Sequence, residues 1–129
     1  MPVPGSKAAG HPDYDDRMTR IIRGIRPIPP LDIREMIVVG QSMTAAHEAA
    51  PGERPSVEDL LEAYGVNEDL LNPAPKKIGL FDDVLTAGVH YRACQILLRQ
   101  RLPHIPIVGF FVARRVFPPE TEIGHDIFL

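Results

Sequence analysis

Tyr14, Met18, Ile21, Ile22 and Ile25 recur at the i, i+4, i+7, i+8, i+11 spacing of one helix face, with Asp15, Asp16, Thr19, Arg20 and Arg23 on the other side. Asp13, with Asp16 three residues on, predicts the N-cap of this helix, and Gly24 predicts its stop. Residues 33–39 (IREMIVV) are rich in β-branched side chains and end at Gly40, which predicts a strand. The polar, small-residue stretch 41–55 reads as a long loop, with a helical turn near 45–49 as an option. Ser56 with Asp59 resembles a capping box opening a helix over 57–64, stopped by Gly65. Residues 78–81 form a short apolar run, the pattern of a strand buried on both faces. A helix follows over 89–101, with Cys94, Leu97 and Leu98 inward and Arg92, Gln95 and Arg99 outward, and a second buried strand over 105–113 (IPIVGFFVA). The tail from Pro118 gives no assignment.

Helix, strand, helix, strand, helix, strand predicts an α/β domain with a parallel sheet. In such sheets ligands bind beyond the carboxyl ends of the strands, so function is sought just after each strand. Composition narrows the classes. The chain has 129 residues, 44% hydrophobic and 24% charged, which suits a single soluble domain over 1–129. Its formal charge of −3 argues against a globally basic nucleic-acid binder. No apolar run approaches the roughly 20 residues that span a bilayer, and the opening MPVPGSKAAGHPDYDD has no apolar signal region. The single cysteine excludes an intramolecular disulfide framework and fits a reducing, cytoplasmic setting. The 14 prolines fall between the patterned segments or, like Pro106, at the start of one, and mark their boundaries.

The chemistry concentrates in the stretch IGLFDDVLTAGVH, residues 78–90. An apolar run leads into two adjacent carboxylates, Asp82 and Asp83, then a turn with Thr86 and Gly88, then a helix. A turn at a helix N-terminus points several backbone N–H groups at one spot, which suits a phosphate. Gly88 removes the Cβ that would hold an anion off the backbone. The carboxylates can accept hydrogen bonds from a vicinal diol. Together these residues suit a ribose carrying a 5′-phosphate; the plainer reading is that the two acids end a strand and cap a helix.

The run Phe81-Asp-Asp-Val-Leu-Thr-Ala-Gly88 resembles the phosphoribosyl-pyrophosphate (PRPP) motif of the type I phosphoribosyltransferases. The opening Pro2-Val-Pro-Gly-Ser-Lys7 resembles the end of that fold's first strand and the pyrophosphate loop after it. The subgroup it looks most like is the competence-related, amidophosphoribosyltransferase-like one. The resemblance spans residues 2–115, with its motifs at 2–7 and 80–90. Gly79 stands where the family prefers an aliphatic residue, and His90 where it usually has Thr, Ser, Ala or Arg.

The resemblance implies a Rossmann-like parallel core with helices on both faces and a shortened N-terminal strand. It implies Mg²⁺-dependent transfer of the phosphoribosyl group from PRPP to a nitrogen nucleophile, a base or amine, with release of pyrophosphate. Asp82 and Asp83 would then meet the ribose hydroxyls and the developing positive charge, Asp83 also being a candidate base. Thr86, Ala87, Gly88, Val89 and His90 would bind the 5′-phosphate, and Gly5, Ser6 and Lys7 the pyrophosphate. Lys7 reads equally as an exposed terminal charge. Residues 41–54 would be a lid carrying His47 and Arg54, or an ordinary solvated loop. Arg114 and Arg115 follow the last strand, as ligand contacts or solvated charges. Mg²⁺ would be held through substrate, with Asp82 or Asp83 reached through water and no direct protein ligand. The alternative is a non-catalytic module that binds PRPP or a nucleotide 5′-monophosphate, or a subunit of a larger assembly. A stub first strand leaves a sheet edge for a partner, which predicts a homodimer or complex.

Overall fold

The computed structural model describes residues 1–27, 30–40 and 54–116. In chain order they form α1 (Arg17–Arg23), β1 (Ile37–Val39), α2 (Val57–Ala63), β2 (Tyr64–Val66), a 3₁₀ turn (Glu68–Leu71), β3 (Ile78–Leu85), α3 (Val89–Arg101) and β4 (Ile107–Arg114). The architecture is α/β, as the alternation of elements predicts, but the strands do not form one parallel Rossmann-like sheet. β3 and β4 pair in parallel, while β1 and β2 make a separate antiparallel pair.

The antiparallel pair has a local origin. The capping box at Ser56 is present in both halves: the Asp59 N–H donates to Ser56 Oγ at 3.1 Å, and the Ser56 N–H to Asp59 Oδ2 at 2.9 Å. The helix it opens ends at Ala63, one residue short of the predicted end. Tyr64 is already extended (φ −87°, ψ 140°) and begins β2 without a loop. With nothing to turn the chain, β2 inherits its direction from α2 and meets β1 head to tail, Ile37 opposite Val66 and Val39 opposite Tyr64. This pairing also shortens β1 relative to the predicted 33–39. The ladder stops where α2 ends on one side and the 3₁₀ turn starts on the other. Arg34, expected in the strand, instead donates through its guanidinium to the carbonyls of Leu70 and Pro73.

At α1 the predicted start moves by one turn. Asp15 accepts the Arg17 N–H at 2.9 Å, and this side-chain-to-backbone bond delays the helix until Arg17. Asp13 lies in the preceding turn, its N–H bonded to His11 Nδ1. Gly24 ends the helix as predicted, its N–H reaching the carbonyls of Arg20 and Ile21.

The β3–α3–β4 unit is the crossover that carries the site. α3 matches the predicted helix, and β3 continues to Leu85, so Asp82 and Asp83 are strand residues rather than strand followers. The parallel ladder with β4 holds that extension, through Leu85 opposite Arg114. Residues 1–3 add to the far edge of β3: the Met1 amino nitrogen donates to Gly79 O, the Phe81 N–H to Met1 O and the Val3 N–H to Phe81 O, all at 2.8–2.9 Å. This parallel bridge between Pro2 and Phe81 is the strand stub expected at the N-terminus.

One face of β3 packs into the core with α3, where Leu80, Ala93, Cys94 and Leu98 are fully buried. Along β4 the other face is open among the described residues: Phe110 is 51% exposed and Val112 63%. The two strands expected to be buried throughout therefore alternate, and among the described residues no helix covers the second face of β4. Gly79 has a packing reason. A Cβ there would come within 3.0 Å of the Phe110 ring, which stacks with Phe81 across it.

Among the described residues no helix is long and apolar enough to cross a membrane.

Candidate functional site

Two of the sequence motifs converge. The loop after the N-terminal stub and the C-terminal end of β3 open on a common cleft of about 370 Å³. Its wall takes Val3, Pro4, Gly5 and Ser6 from the loop, Asp82, Asp83 and Val84 from β3, and Thr86 and His90 from the turn and α3. The bridge between Pro2 and Phe81 brings these segments together, because it sets the stub beside the strand that carries the acids.

Neighbours in a strand point to opposite faces, and the two aspartates do so. Asp82 shares the parity of the buried Ile78 and Leu80 and turns toward α3. Burial pushes its carboxyl up to about 6 from an ordinary 3.8, and the nearby Asp83 charge adds to the rise. The Asp83 N–H, donating to Asp82 Oδ1 at 2.9 Å, and the Arg17 guanidinium pull the other way. Asp83 faces the wetter side. Its Oδ2 accepts from Arg17 Nη2 at 3.0 Å and its Oδ1 from the Val84 N–H at 2.7 Å.

The turn after β3 is built for a close approach to backbone. Gly88 sits at the N-cap of α3 with φ +75°, a conformation that any Cβ would strain. Gly88, having no side chain, gives this helix no side-chain cap. His90, on the first turn, is joined through Nδ1 to the Tyr64 hydroxyl at 2.8 Å.

The remaining predicted residues distribute unevenly. Ala87, Gly88 and Val89 lie between Thr86 and His90 without forming the cleft's wall. Lys7 lines an adjoining pocket of about 60 Å³ rather than the cleft. Arg54 is exposed ahead of α2, and Arg114 and Arg115 are exposed at the end of β4; none of the three is on the cleft's wall. His47 and the rest of the expected lid, save Arg54, lie outside the described residues. Cys94 is core, as its inward helical position predicts, and burial pushes its thiol far up.

Sequence reasoning missed Asp15, Arg17 and Met18, which complete the cleft's outer side. It also missed Tyr64, which supports His90 from β2. Asp15 read as helix surface and Tyr64 as a helix end; nothing in the local pattern pairs Arg17 with an acid 66 residues away.

Charge is the last property of the site. Among the described residues of the wall, Asp15, Asp82 and Asp83 face one guanidinium, that of Arg17. Among the described residues no three His, Cys, Asp or Glu side chains come together in a way that would hold a metal directly. The chain matches no protein-family model, no curated protein and no solved structure.

Proposed function

We propose that the cleft binds a ribose 5-phosphate ester and that the protein is a type I phosphoribosyltransferase-like enzyme of the cytoplasm. It would transfer the phosphoribosyl group of PRPP to a base or amine nitrogen. The observation that carries this reading is the convergence of Gly5 and Ser6, Asp82 and Asp83, and Thr86 and His90 on one cleft of about 370 Å³. They are the residue types a ribose with phosphates at two positions requires, drawn from segments about 80 residues apart. The 5-phosphate would sit at the N-terminus of α3, against the Gly88 turn. Asp82 and Asp83 would accept from the ribose hydroxyls, and the Gly5–Ser6 backbone would face pyrophosphate.

In the reaction the C1–O bond to pyrophosphate breaks and the leaving group takes the electron pair. The nitrogen lone pair forms the new C1–N bond, and the proton lost from nitrogen passes to water or to Asp83. In this pose the carboxylates would lie on the side where positive charge grows on the sugar, and would stabilise the transition state more than the ground state.

Mg²⁺ fits this donor set. A polyphosphate would not enter a wall of three carboxylates and one guanidinium without a cation of its own. Arriving on the substrate, and reaching Asp82 or Asp83 through water, it would supply positive charge to the departing pyrophosphate.

A second reading keeps the site without turnover, as a PRPP or nucleotide 5′-monophosphate binding module or a subunit of a larger assembly. The Arg17–Asp83 ion pair favours it, since that contact engages the proposed base. Calorimetric titration with PRPP and a panel of nucleoside monophosphates, with and without Mg²⁺, tests both. Saturable PRPP binding that needs Mg²⁺, with pyrophosphate release once a nitrogen acceptor is added, supports the enzyme. Binding without release under every acceptor supports the module. No binding of any of these ligands overturns both readings.

A further inference from the structure

We propose that the pocket beside the cleft is a subsite for a small zwitterionic amine, an amino acid no larger than β-alanine, and that this amine is the acceptor. Its ammonium would meet Glu35 and its carboxylate Lys7. The acceptor role rests on the ribose-phosphate reading; the subsite itself does not.

The pocket lies between the N-terminal stub, the start of α1 and β1, and measures about 60 Å³. Its apolar lining includes the buried Val3, Ile37 and Val39. Two groups of opposite charge, Lys7 and Glu35, stand on the same wall. Among the described residues neither enters an ion pair, with the other or with a third group. The remaining carboxylates of the wall are already matched: Asp15 has Arg17 and Arg20 at 3.6 Å, and Asp16 has Arg20 at 2.7 Å. Glu35 is held in place, its Oε1 accepting from the hydroxyl of Thr19, which is 5% exposed. A carboxylate accepts at both oxygens, so Oε2 can take a further donor. The negative charge is felt across the pocket at Tyr14, whose phenol is pushed up by burial and then by Glu35, Asp16 and Asp15.

An unpaired carboxylate and an unpaired ammonium on one small cavity are complementary to a ligand carrying the reverse pair. A lone cation would leave Lys7 opposed, and a lone anion would leave Glu35 opposed. A space of about 60 Å³ holds on the order of five water-sized groups, which suits glycine or β-alanine and is too small for a nucleobase. Val3, Pro4, Gly5, Asp15 and Met18 line both this pocket and the cleft, so occupants of the two would be neighbours. That contiguity assigns the amine as acceptor. The bound ammonium gives one proton to water, and the freed lone pair forms the C1–N bond as pyrophosphate leaves with the electron pair of the C1–O bond. The second proton passes to water or to Asp83.

Amide ¹H–¹⁵N spectra of the whole chain read weak binding residue by residue. Without PRPP, glycine and β-alanine are expected to shift the amides of Thr19, Ile37 and Val38 saturably. Ethylamine and acetate each carry one of the two charges and should bind about tenfold more weakly or worse, and leucine should not enter. Lys7→Gln should weaken glycine binding by about tenfold, and so should Glu35→Gln, whose amide oxygen can still accept from Thr19. No saturable shift with either small amino acid, ethylamine or acetate binding as well as glycine, or an affinity unchanged in either variant overturns the subsite. Should a variant fail to fold, the ligand series in the wild-type chain decides alone.

Pyrophosphate release is then measured with PRPP, Mg²⁺ and each amine. Release with glycine or β-alanine that falls about tenfold at subsaturating amine in Glu35→Gln supports the acceptor role. No release while amino acid and PRPP are both bound overturns that role. If the amino acids bind and PRPP does not, the subsite stands, and the acceptor role falls together with the ribose-phosphate reading. If PRPP binds and the amino acids do not, that reading stands and the subsite falls.

Discussion

Asp82 and Asp83 are adjacent in β3 and share one cleft, yet their surroundings differ. Asp82 turns to the dry side beneath α3, near Tyr64 and Cys94, and burial raises its carboxyl to about 6. Asp83 turns to the wet side, 40% exposed, and shares its charge with Arg17 at 3.0 Å. The strand's alternation produces this split without any further device. One wall holds an acid that the fold pays to keep, and the other holds an acid that solvent and a guanidinium already satisfy. An acid retained against burial is the one whose retention points to a ligand.

The largest expected effect removes both walls. Asp82→Asn with Asp83→Asn should weaken PRPP binding by on the order of 100-fold or more, since hydrogen bonds to charged groups are worth about 1.5–3 kcal/mol each. Calorimetry with Mg²⁺ checks it, and unchanged affinity would remove the ribose-phosphate reading altogether.

Stability separates the walls next. The native carboxyl of Asp82 binds its proton more tightly than the unfolded one, at about 6 against 3.8. Ionising it therefore costs stability as pH rises from about 4 to 6, and the cost persists above that. Asp82→Asn should raise stability at pH 7 by about 1–2 kcal/mol, the partial exposure of the group reducing the full linkage value. It should change little at pH 4. Denaturant midpoints across this range read the difference, and a variant less stable than wild type at pH 7 would mean that Asp82 is held by bonds rather than merely confined.

The turn between the walls carries a smaller and purely backbone effect. Gly88→Ala should cost about 1–2 kcal/mol through its φ of +75°, because a Cβ there meets nothing closer than Leu85 Cδ1 at 3.5 Å. A thermal midpoint equal to wild type would show that the turn relaxes, and the anion site at α3 would lose its basis.

Legibility from sequence follows the range of the interactions. α3, the Ser56 capping box and the Gly24 stop rest on residues within four positions of one another, and the chain reads out as written. The cleft's inner elements were legible for the same reason: Asp82, Asp83, Thr86 and His90 occupy a single strand-turn-helix. The antiparallel pairing of β1 with β2 was not, because YGV carries no periodicity and takes its conformation from Met36–Gly40, far back in the chain. Arg17 on Asp83 and Tyr64 on His90 span 66 and 26 residues and leave no trace in local spacing. The exposed face of β4 was hidden in another way, since an apolar run reads as buried whether or not a helix covers it.

The smallest expected effect sharpens the wet wall. The Arg17–Asp83 pair is half-exposed, so Arg17→Met, which keeps the apolar stem, should change stability by about 0.5 kcal/mol or less. Its effect on binding has a sign that matters more than its size. If Arg17 lends its charge to pyrophosphate, PRPP affinity should fall by roughly tenfold at low salt and by less at high salt, where exposed charges are screened. If Arg17 instead competes with the ribose hydroxyls for Asp83, its removal should raise affinity. The geometry favours the fall. Asp83 has a second oxygen, which takes the Val84 N–H at 2.7 Å, so its carboxylate stays oriented when the guanidinium leaves it for an anion. A measured rise would assign Arg17 to holding the site closed in the absence of ligand.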